Sequence, residues 1–552
     1  MTIRHTTARP PRRLATRLAA LTLIGGALLS VGCEHEFNET WNQPLDIAGP
    51  FVTNGDLLYI NRTLGEVLRL DATKEGDKLG LEIDRVPTGE RPGSVATSAD
   101  GSTLFVVNKD DETLTIVDLT AEELEAKTLE LNSAYDVLTV DPRGDFLLLS
   151  FSGITEEGVI ARNLNQLGIV DLRGGEPEAK FVTLASRARE LIFADPFELG
   201  GEEQRLVASL STSQVTIIDL LADQDDPENL LREVPLTLSE ADTPRTPIQA
   251  IFDVTPSEDL PDTINLYLLT ANSNDITQIA VRPSVREDSI FKFNLSVNQL
   301  AAGTNPGAMT LLEMPGRGTR LLTTNQRSPQ FTIIDVSSGH GATFALPMDA
   351  PADSIKTYTA TQASGGELVE ELRVLAYTSS STIVSVIRPE TIAISADQPT
   401  LGRSVEAIRL ERAPQRIELD EAAAKERAVV FHSGLTGGFT VLDLRDNRDI
   451  PIQGYSLTDI FFDGQLAFGV FSGTQHMGVF DLETGQPTVF DLPLLGESIA
   501  VDDKDGLLVV QHEGATGVFT ILDATEPTPE NAIILRDVFL QDVLDKELPD
   551  AN

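Results

Sequence analysis

The chain contains ten copies of a short apolar segment that alternates like a β-strand, and this repetition restricts the fold more than any other feature. Eight copies end in aspartate, and two degenerate copies fill gaps of about twice the usual spacing. Consecutive copies end 38 to 61 residues apart, which indicates a repeat architecture built from small sheets. The copies are VLRLD ending at Asp71, LTIVD at Asp118, LGIVD at Asp171, VTIID at Asp219, ITQIA at Ala280, FTIID at Asp335, TIVSV near Ser385, FTVLD at Asp443, MGVFD at Asp481 and FTILD at Asp523.

The copy that begins at Pro92 shows what one unit contains. Residues 92–98 alternate like a strand, and Ala99-Asp100-Gly101 predicts a tight turn because glycine accepts positive φ and aspartate bonds nearby amides. Residues 104–108 and 114–118 predict a second and a third strand, and a fourth is predicted within Leu129 to Leu131. Four strands joined by short turns form one antiparallel sheet.

This unit resembles the YVTN-type β-propeller repeat, which has a Pro-led strand, an S-P-D-G turn, a Y-V-T-N strand and a strand ending in Asp. Ser98, Asp100 and Gly101 match the turn, residues 105–108 stand at the Y-V-T-N position, and Asp118 closes the third strand. The resemblance covers roughly residues 45–540 and implies a fold more than a chemistry. Further Y-V-T-N-like strands are Leu269-Thr270-Ala271-Asn272 and Leu322-Thr323-Thr324-Asn325.

We therefore predict an all-β protein, a β-propeller of four-stranded antiparallel blades over residues 45–540. One sheet cannot bury both of its faces alone, whereas sheets packed around an axis cover one another. Ten units allow one large ring, two smaller rings, or degenerate units outside a ring. The acidic stretch 418–427 is interpreted as an excursion within a blade that can be helical, residues 538–548 as a short helix on the ring, and residues 541–552 as a C-terminal tail.

The first 32 residues have the layout of a signal peptide. Five arginines precede an apolar run from Leu18 to Gly32, which is too short to span a bilayer comfortably. The only cysteine, Cys33, follows Leu29-Ser30-Val31-Gly32, and this segment resembles the lipobox of bacterial lipoproteins, which implies acylation of Cys33. Residues 33–44 are then a tether. The alternative is an ordinary signal peptide cleaved near Gly32, which leaves a free thiol.

Lipidation places the protein outside the cytoplasm, anchored by acyl chains in the bacterial cell envelope, and we expect the outer membrane. Each buried methylene contributes about 0.8 kcal/mol to such an anchor. Removal of residues 1–32 leaves 37 basic and 85 acidic side chains, a net charge of −48. This charge argues against binding to nucleic acid or to an anionic membrane surface, because phosphates need clustered Lys and Arg. Solubility or a salty habitat accounts for the acidity.

The sequence contains few signs of catalysis. No pair of histidines has zinc-motif spacing, so no metal site is predicted. His432, His476 and His512 occupy comparable positions in successive units and either converge or are ordinary loop histidines. With Cys33 acylated no thiol nucleophile remains, and no nucleophile elbow, Walker loop or dinucleotide fingerprint is present, so no catalytic residue and no cofactor are predicted.

Two groups of acidic residues need an interpretation. Residues Asp223 to Glu228 (DQDDPE) offer oxygen ligands for calcium, but they lack the spacing of a calcium loop, which favours a solvated loop. The aspartates that end the repeat strands are expected to cap amides of the following turn and not to line a catalytic channel.

Three functions remain open. The preferred one is a non-enzymatic, lipid-anchored propeller that binds or scaffolds an envelope protein, a glycan or a small ligand. The others are a structural surface-layer role and an enzyme similar to lactonase-type or quinoprotein-type propellers. The fold alone does not decide among them.

Overall fold

The computed structural model describes the chain from Leu45 to Phe539 with gaps. The predicted signal segment 1–32, Cys33, the predicted tether 33–44 and the predicted tail 541–552 lie outside the described residues. The gaps are residues 54–55, 76–77, 122, 154–162, 200, 223–229, 237–244, 256–262, 285–292, 315–317, 365–366, 395–400, 402–403, 420–426, 433–437, 454–455, 464–465, 483–486, 503–505, 515, 526 and 529–530.

The described residues form ten four-stranded antiparallel sheets, which we call blades 1 to 10 in chain order. Strand order within a blade follows the sequence, and in blade 4 a two-stranded hairpin, β14–β15, is inserted between the first and second strands. Blades 1 to 5 contain β1 (Ile47–Thr53), β2 (Asp56–Asn61), β3 (Glu66–Glu75), β4 (Lys78–Pro87); β5 (Pro92–Thr97), β6 (Thr103–Asn108), β7 (Thr113–Asp118), β8 (Glu125–Glu130); β9 (Val137–Val140), β10 (Phe146–Ser150), β11 (Gln166–Asp171), β12 (Glu178–Thr183); β13 (Glu190–Phe193), β14 (Phe197–Leu199), β15 (Glu202–Gln204), β16 (Leu206–Leu210), β17 (Gln214–Asp219), β18 (Leu231–Pro235); and β19 (Pro247–Asp253), β20 (Ile264–Thr270), β21 (Asp275–Pro283), β22 (Phe293–Ala301).

The second half of the chain repeats this pattern, with a short 3-10 helix at Pro389–Thr391 in blade 7. Blades 6 to 10 contain β23 (Pro306–Met314), β24 (Gly318–Asn325), β25 (Gln330–Asp335), β26 (Gly341–Ala345); β27 (Ser354–Ser364), β28 (Glu367–Tyr377), β29 (Ile383–Ile387), β30 (Val405–Arg409); β31 (Pro414–Leu419), β32 (Arg427–His432), β33 (Gly438–Asp443), β34 (Arg448–Gln453); β35 (Leu457–Asp463), β36 (Leu466–Phe471), β37 (His476–Asp481), β38 (Pro487–Asp491); and β39 (Gly496–Asp502), β40 (Leu507–His512), β41 (Val518–Asp523), β42 (Ile533–Leu535).

The blades form one closed ring of ten. The described residues contain ten buried apolar clusters, and each cluster is shared by two consecutive blades, including blades 10 and 1. At this last interface, the seam, Tyr59 packs edge-on against Phe519 with ring centroids 5.7 Å apart. Lys74 and Asp523 form a salt bridge across the seam. The ring therefore closes by packing of two whole blades, and no blade combines strands from both ends of the chain.

The last described residues, Val538 and Phe539, are buried in the seam. The Phe539 ring lies 5.4 Å from that of Tyr59 and 5.6 Å from that of Phe519. Gly517 permits this approach, because a Cβ on it would lie 2.6 Å from Phe539 Cδ2. These two residues pack on the ring as expected, whereas the remainder of the predicted 538–548 helix lies outside the described residues.

Burial on both faces explains why the second strands read as continuous apolar runs. In β6, Leu104 and Val106 enter the core shared with blade 1, while Phe105 and Val107 enter the core shared with blade 3. Successive side chains of a strand point to opposite faces, so each strand supplies two interfaces. The second strands are thus committed to packing.

The predicted propeller of four-stranded antiparallel blades is confirmed, and a single ring is found among the alternatives for ten units. The two degenerate copies, near Ala280 and Ser385, are the third strands β21 and β29. The fourth strand of blade 2 starts at Glu125, earlier than predicted, because this exposed outer strand carries charged residues that hide the apolar pattern.

The acidic stretch 418–427 is partly strand. Glu418 and Leu419 end β31, and Arg427 begins β32, so these ends of the expected excursion are strand, and residues 420–426 lie outside the described residues.

Candidate functional site

The first strand of each blade lies nearest the ring axis, and four first strands open with a proline. Pro92, Pro247, Pro306 and Pro414 begin β5, β19, β23 and β31, and strand register shifts directly after each of them. Proline is tolerated there because the first residue of a strand needs no N–H in the ladder. The bulge turns the backbone N–H and C=O groups that follow the proline out of regular strand pairing. The inner wall therefore presents polar groups that the sheets do not use.

Some of these groups connect neighbouring blades. Gln249 Nε2 donates to Met309 O at 2.7 Å, and Met309 N donates to Gln249 Oε1 at 2.9 Å. In the same way, Leu138 N donates to Ser94 Oγ at 3.2 Å. Side chains of one first strand thus satisfy amides on the outward edge of the next first strand, which has no strand pairing on that side among the described residues.

Asp459 has the same role between blades 9 and 10. Its Oδ2 accepts a hydrogen bond from Ile499 N at 3.0 Å, and its Oδ1 accepts one from Ile460 N at 3.0 Å. Burial raises the pKa of Asp459, and these two amides act in the opposite direction. This carboxylate is therefore a structural group of the inner wall.

The inner wall of blades 5 to 8 lines an open cavity of about 820 Å³, which we call the channel cavity. Its lining comes from β19, β23, β27 and β31 and from the end of β28. Five sequence segments that span about 170 residues, from 249 to 419, meet there because the ring brings these blades together. The lining includes Gln249, Met309, Ser354, Lys356, Tyr377 and Glu418.

The polar groups of the channel cavity are held in place by local bonds. Asp353 N donates to Tyr377 O at 3.2 Å, Thr378 Oγ1 donates to Asp353 Oδ2 at 2.9 Å, and Ser354 Oγ donates to Asp353 Oδ1 at 2.8 Å. Burial raises the pKa of the Tyr377 phenol, which is therefore neutral at physiological pH. Lys356 is exposed to the cavity and adds a positive charge. The cavity offers donors, acceptors and both signs of charge.

An acidic pair lies beyond the cavity on β19 and β23. Asp253 ends β19, and Glu313 lies near the end of β23. Thr255 connects them, because its N–H donates to Asp253 Oδ1 at 3.2 Å and its Oγ1 donates to Glu313 Oε1 at 3.1 Å. Asp253 is only 3% exposed, and burial, assisted by the Glu313 charge, raises its pKa to about 6. A carboxyl group of the inner wall thus titrates near neutral pH.

Six of the eight repeat-ending aspartates cap turns, as expected from the sequence, whereas Asp71 lies within β3. Thr120 N donates to Asp118 Oδ1 at 2.9 Å, and Thr120 Oγ1 donates to the same oxygen at 2.7 Å. These bonds lower the pKa of Asp118. Asp171, Asp219, Asp335, Asp443 and Asp523 accept the amide two residues further on at 2.9 to 3.1 Å.

Two of the histidines perform the task that Asn108 has in blade 2. Asn108 ends β6 and donates through Nδ2 to Thr115 Oγ1 at 2.8 Å in the neighbouring strand. His512 ends β40 and bonds Thr520 Oγ1 through Nε2 at 2.7 Å, and His432 has the equivalent bond at 2.8 Å. Each histidine therefore links the second and third strands of its own blade.

The three histidines do not converge. His476 lies at the start of β37 and contacts Asp491 Oδ1 at 2.9 Å, while the other two bond within blades 8 and 10. Across the described ranges, no three His, Cys, Asp or Glu side chains are arranged to hold a metal ion. No helix in that same part of the chain is both long and apolar enough to cross a bilayer. The possible calcium loop, Asp223 to Glu228, lies outside the described residues.

Neither the channel cavity nor the acidic pair was predicted from the sequence. Pro247 and Pro306 are the signal that the sequence contains, because each opens a first strand of the inner wall. The described lining contains hydroxyl, amide, phenol, amine and carboxylate groups but no histidine or thiol. This set suits recognition by hydrogen bonds and charge.

No protein-family model and no curated protein matches the chain. Similar solved structures include the dihydro-heme d1 dehydrogenase NirN in complex with DHE, with 13% identity, 82% of this chain and 75% of that chain covered, and a TM-score of 0.37. Another is Sqt1 of Saccharomyces cerevisiae, with 10% identity, coverage of 80% and 94%, and a TM-score of 0.35. A third is AztD of Citrobacter koseri, with 12% identity, coverage of 67% and 87%, and a TM-score of 0.31.

Proposed function

We propose that this protein is a lipid-anchored binding module of the bacterial cell envelope, which takes up an envelope protein segment, a glycan or a small ligand in its channel cavity. The observation that carries the proposal is the cavity of about 820 Å³ on the inner wall of blades 5 to 8. Its size lies within the range of ligand sites, and its walls belong to strands fixed by packing.

The arrangement of the polar groups supports binding over turnover. Gln249 and Asp353 are engaged in bonds that hold the wall, whereas Lys356 is exposed to the cavity. Ser354 donates to Asp353, and no histidine along the described wall is placed to activate it. A rigid wall with convergent polar groups recognises a ligand without reacting with it.

Binding is tested by cross-linking the protein in its own membranes and identifying captured molecules by mass spectrometry. The variant Ala308→Trp places a large ring in the channel cavity. The matched control Val52→Trp changes a 54% exposed residue on the first strand of blade 1, outside the cavity. We expect the captured partner to be lost with A308W and retained with V52W. Retention with both variants, once their melting curves match the parent, contradicts a cavity-bound partner.

The membrane anchor is tested separately. We expect Cys33→Ser to release the protein from the membrane fraction and to abolish incorporation of a labelled fatty acid. Ser30→Ala, a change three residues earlier, is expected to leave both unchanged. Fatty-acid labelling that survives in C33S contradicts acylation of the chain's only cysteine.

A further inference from the structure

The outer strand of blade 5, β22, is an unusual edge. β22 spans nine residues from Phe293 to Ala301, and no described strand pairs with its outer side. Its sequence, FNLSVNQLA, contains no charged residue and no proline. Natural proteins protect such edges with charges, prolines or short strands, because free N–H and C=O groups otherwise recruit another strand.

The remaining outer strands have this protection. Each of those with five or more residues carries charged side chains, apart from β26, which has five residues. The strand β38 combines Pro487 with Asp491, and β42 has three residues. Only β22 among the described outer strands is both long and uncharged.

The backbone of β22 is directed to bond outwards at alternate residues. Ala302 N donates to Asn274 O at 3.0 Å, so the even-numbered residues face β21. By the alternation of antiparallel pairing, Leu295, Val297 and Gln299 point their N–H and C=O groups away from the blade. Val297 is 37% exposed, at the centre of this edge.

We propose that β22 pairs antiparallel with β22 of a second copy of this chain, with Val297 opposite Val297 of the partner. A two-fold axis through this pair sets Leu295 against Gln299 and Ser296 against Asn298, and no like charges meet. This matters because the chain carries a formal net charge of −43, so two copies repel except where their contact surfaces are neutral. The pairing joins two blades into one eight-stranded sheet across a symmetric interface.

Sedimentation of the full-length chain in detergent tests the pairing. We expect a dimer, weakened at least tenfold by Val297→Lys, which sets two like charges opposite each other. Val489→Lys is the matched control, since Val489 is 39% exposed on the outer strand β38, and it is expected to leave the dimer intact. A monomer at tens of micromolar, or equal effects of the two variants, overturns the proposal.

Disulfide trapping in membranes tests the register. Val297→Cys is expected to give a covalent homodimer under mild oxidation, because directly opposite Cα atoms lie about 5.5 Å apart in a hydrogen-bonded pair. Ser296→Cys is expected to give little, since its two copies lie more than about 7 Å apart in this register. The parental chain controls for Cys33. Capture of a different protein by V297C, or equal trapping at 296 and 297, contradicts self-pairing.

Discussion

Asp253 offers a direct test of how the inner wall is built. The substitution Asp253→Asn keeps the oxygen that accepts Thr255 N at 3.2 Å and removes the charge from a side chain that is 3% exposed. Burial raises the pKa of Asp253 from 3.8 to about 6, and Glu313 contributes to the rise. The charged form is therefore disfavoured in the folded protein relative to the unfolded chain.

The expected magnitude follows from linkage. A rise of about two pKa units corresponds to about 3 kcal/mol, at 1.36 kcal/mol for each unit. Between pH 4 and 6 the folded protein binds more protons at this site than the unfolded chain, so this contribution to stability falls as pH rises through that window. Above pH 6 the destabilisation caused by the buried Asp253 carboxylate has its full value. We expect D253N to be more stable than the parent by about 1 to 3 kcal/mol at pH 7.5, with little difference near pH 4.

Urea unfolding at pH 4 and pH 7.5 measures this difference. Asp463→Asn is the matched control, because Asp463 ends the first strand of blade 9 as Asp253 ends that of blade 5, but is exposed. We expect D463N to differ from the parent by less than about 0.5 kcal/mol at either pH. A D253N protein that is no more stable than the parent at pH 7.5 would refute the reasoning that desolvation dominates at this position.

Three further substitutions probe packing and hydrogen bonds. Phe539→Ala removes a 2% exposed ring from the seam and is expected to cost about 3 to 5 kcal/mol in unfolding free energy, whereas Ile534→Ala, at a 47% exposed residue, costs far less. Burial lowers the pKa of His512 below 6.5, so the parent loses stability as pH falls through 6.5. We expect His512→Asn to show a smaller drop in melting temperature than the parent when pH is lowered from 7.5 to 5. Gln249→Ala leaves Met309 N unpaired and is expected to cost about 1 to 3 kcal/mol, against little change for the exposed Gln415→Ala in urea unfolding.

The repeat made the architecture predictable because each unit contains its own signals. Asp100 and Gly101 specify a turn within a few residues, and Asp118 caps the next turn through Thr120. Strand pairing joins consecutive strands in every blade except blade 4, where β13 pairs with β16 around the inserted β14–β15 hairpin, so local patterns were sufficient for the fold. The number of rings was not predictable in this way, because closure depends on curvature summed over all ten blades.

The channel cavity could not be read from the sequence for the same reason. Gln249 and Glu418 are far apart along the chain, and only ring geometry places them on one wall. His512 illustrates a second limit. It ends the second strand of its blade, as Asn108 does, but their shared role became visible only in the structure, where His512 bonds Thr520 and Asn108 bonds Thr115. Side chains that act between blades need three-dimensional placement.

The seam between blades 10 and 1 has a consequence for the order of folding. Strand pairs within a blade close short loops, but Lys74 and Asp523 meet across 449 residues. Closing so long a loop costs about 5 kcal/mol in chain entropy. This entropic cost arises at the seam alone. Blades are therefore expected to form along the chain as an open arc, with the seam completed last. Transient opening of the native ring is expected at the seam, where it separates the first blade from the last and leaves the other nine interfaces in place.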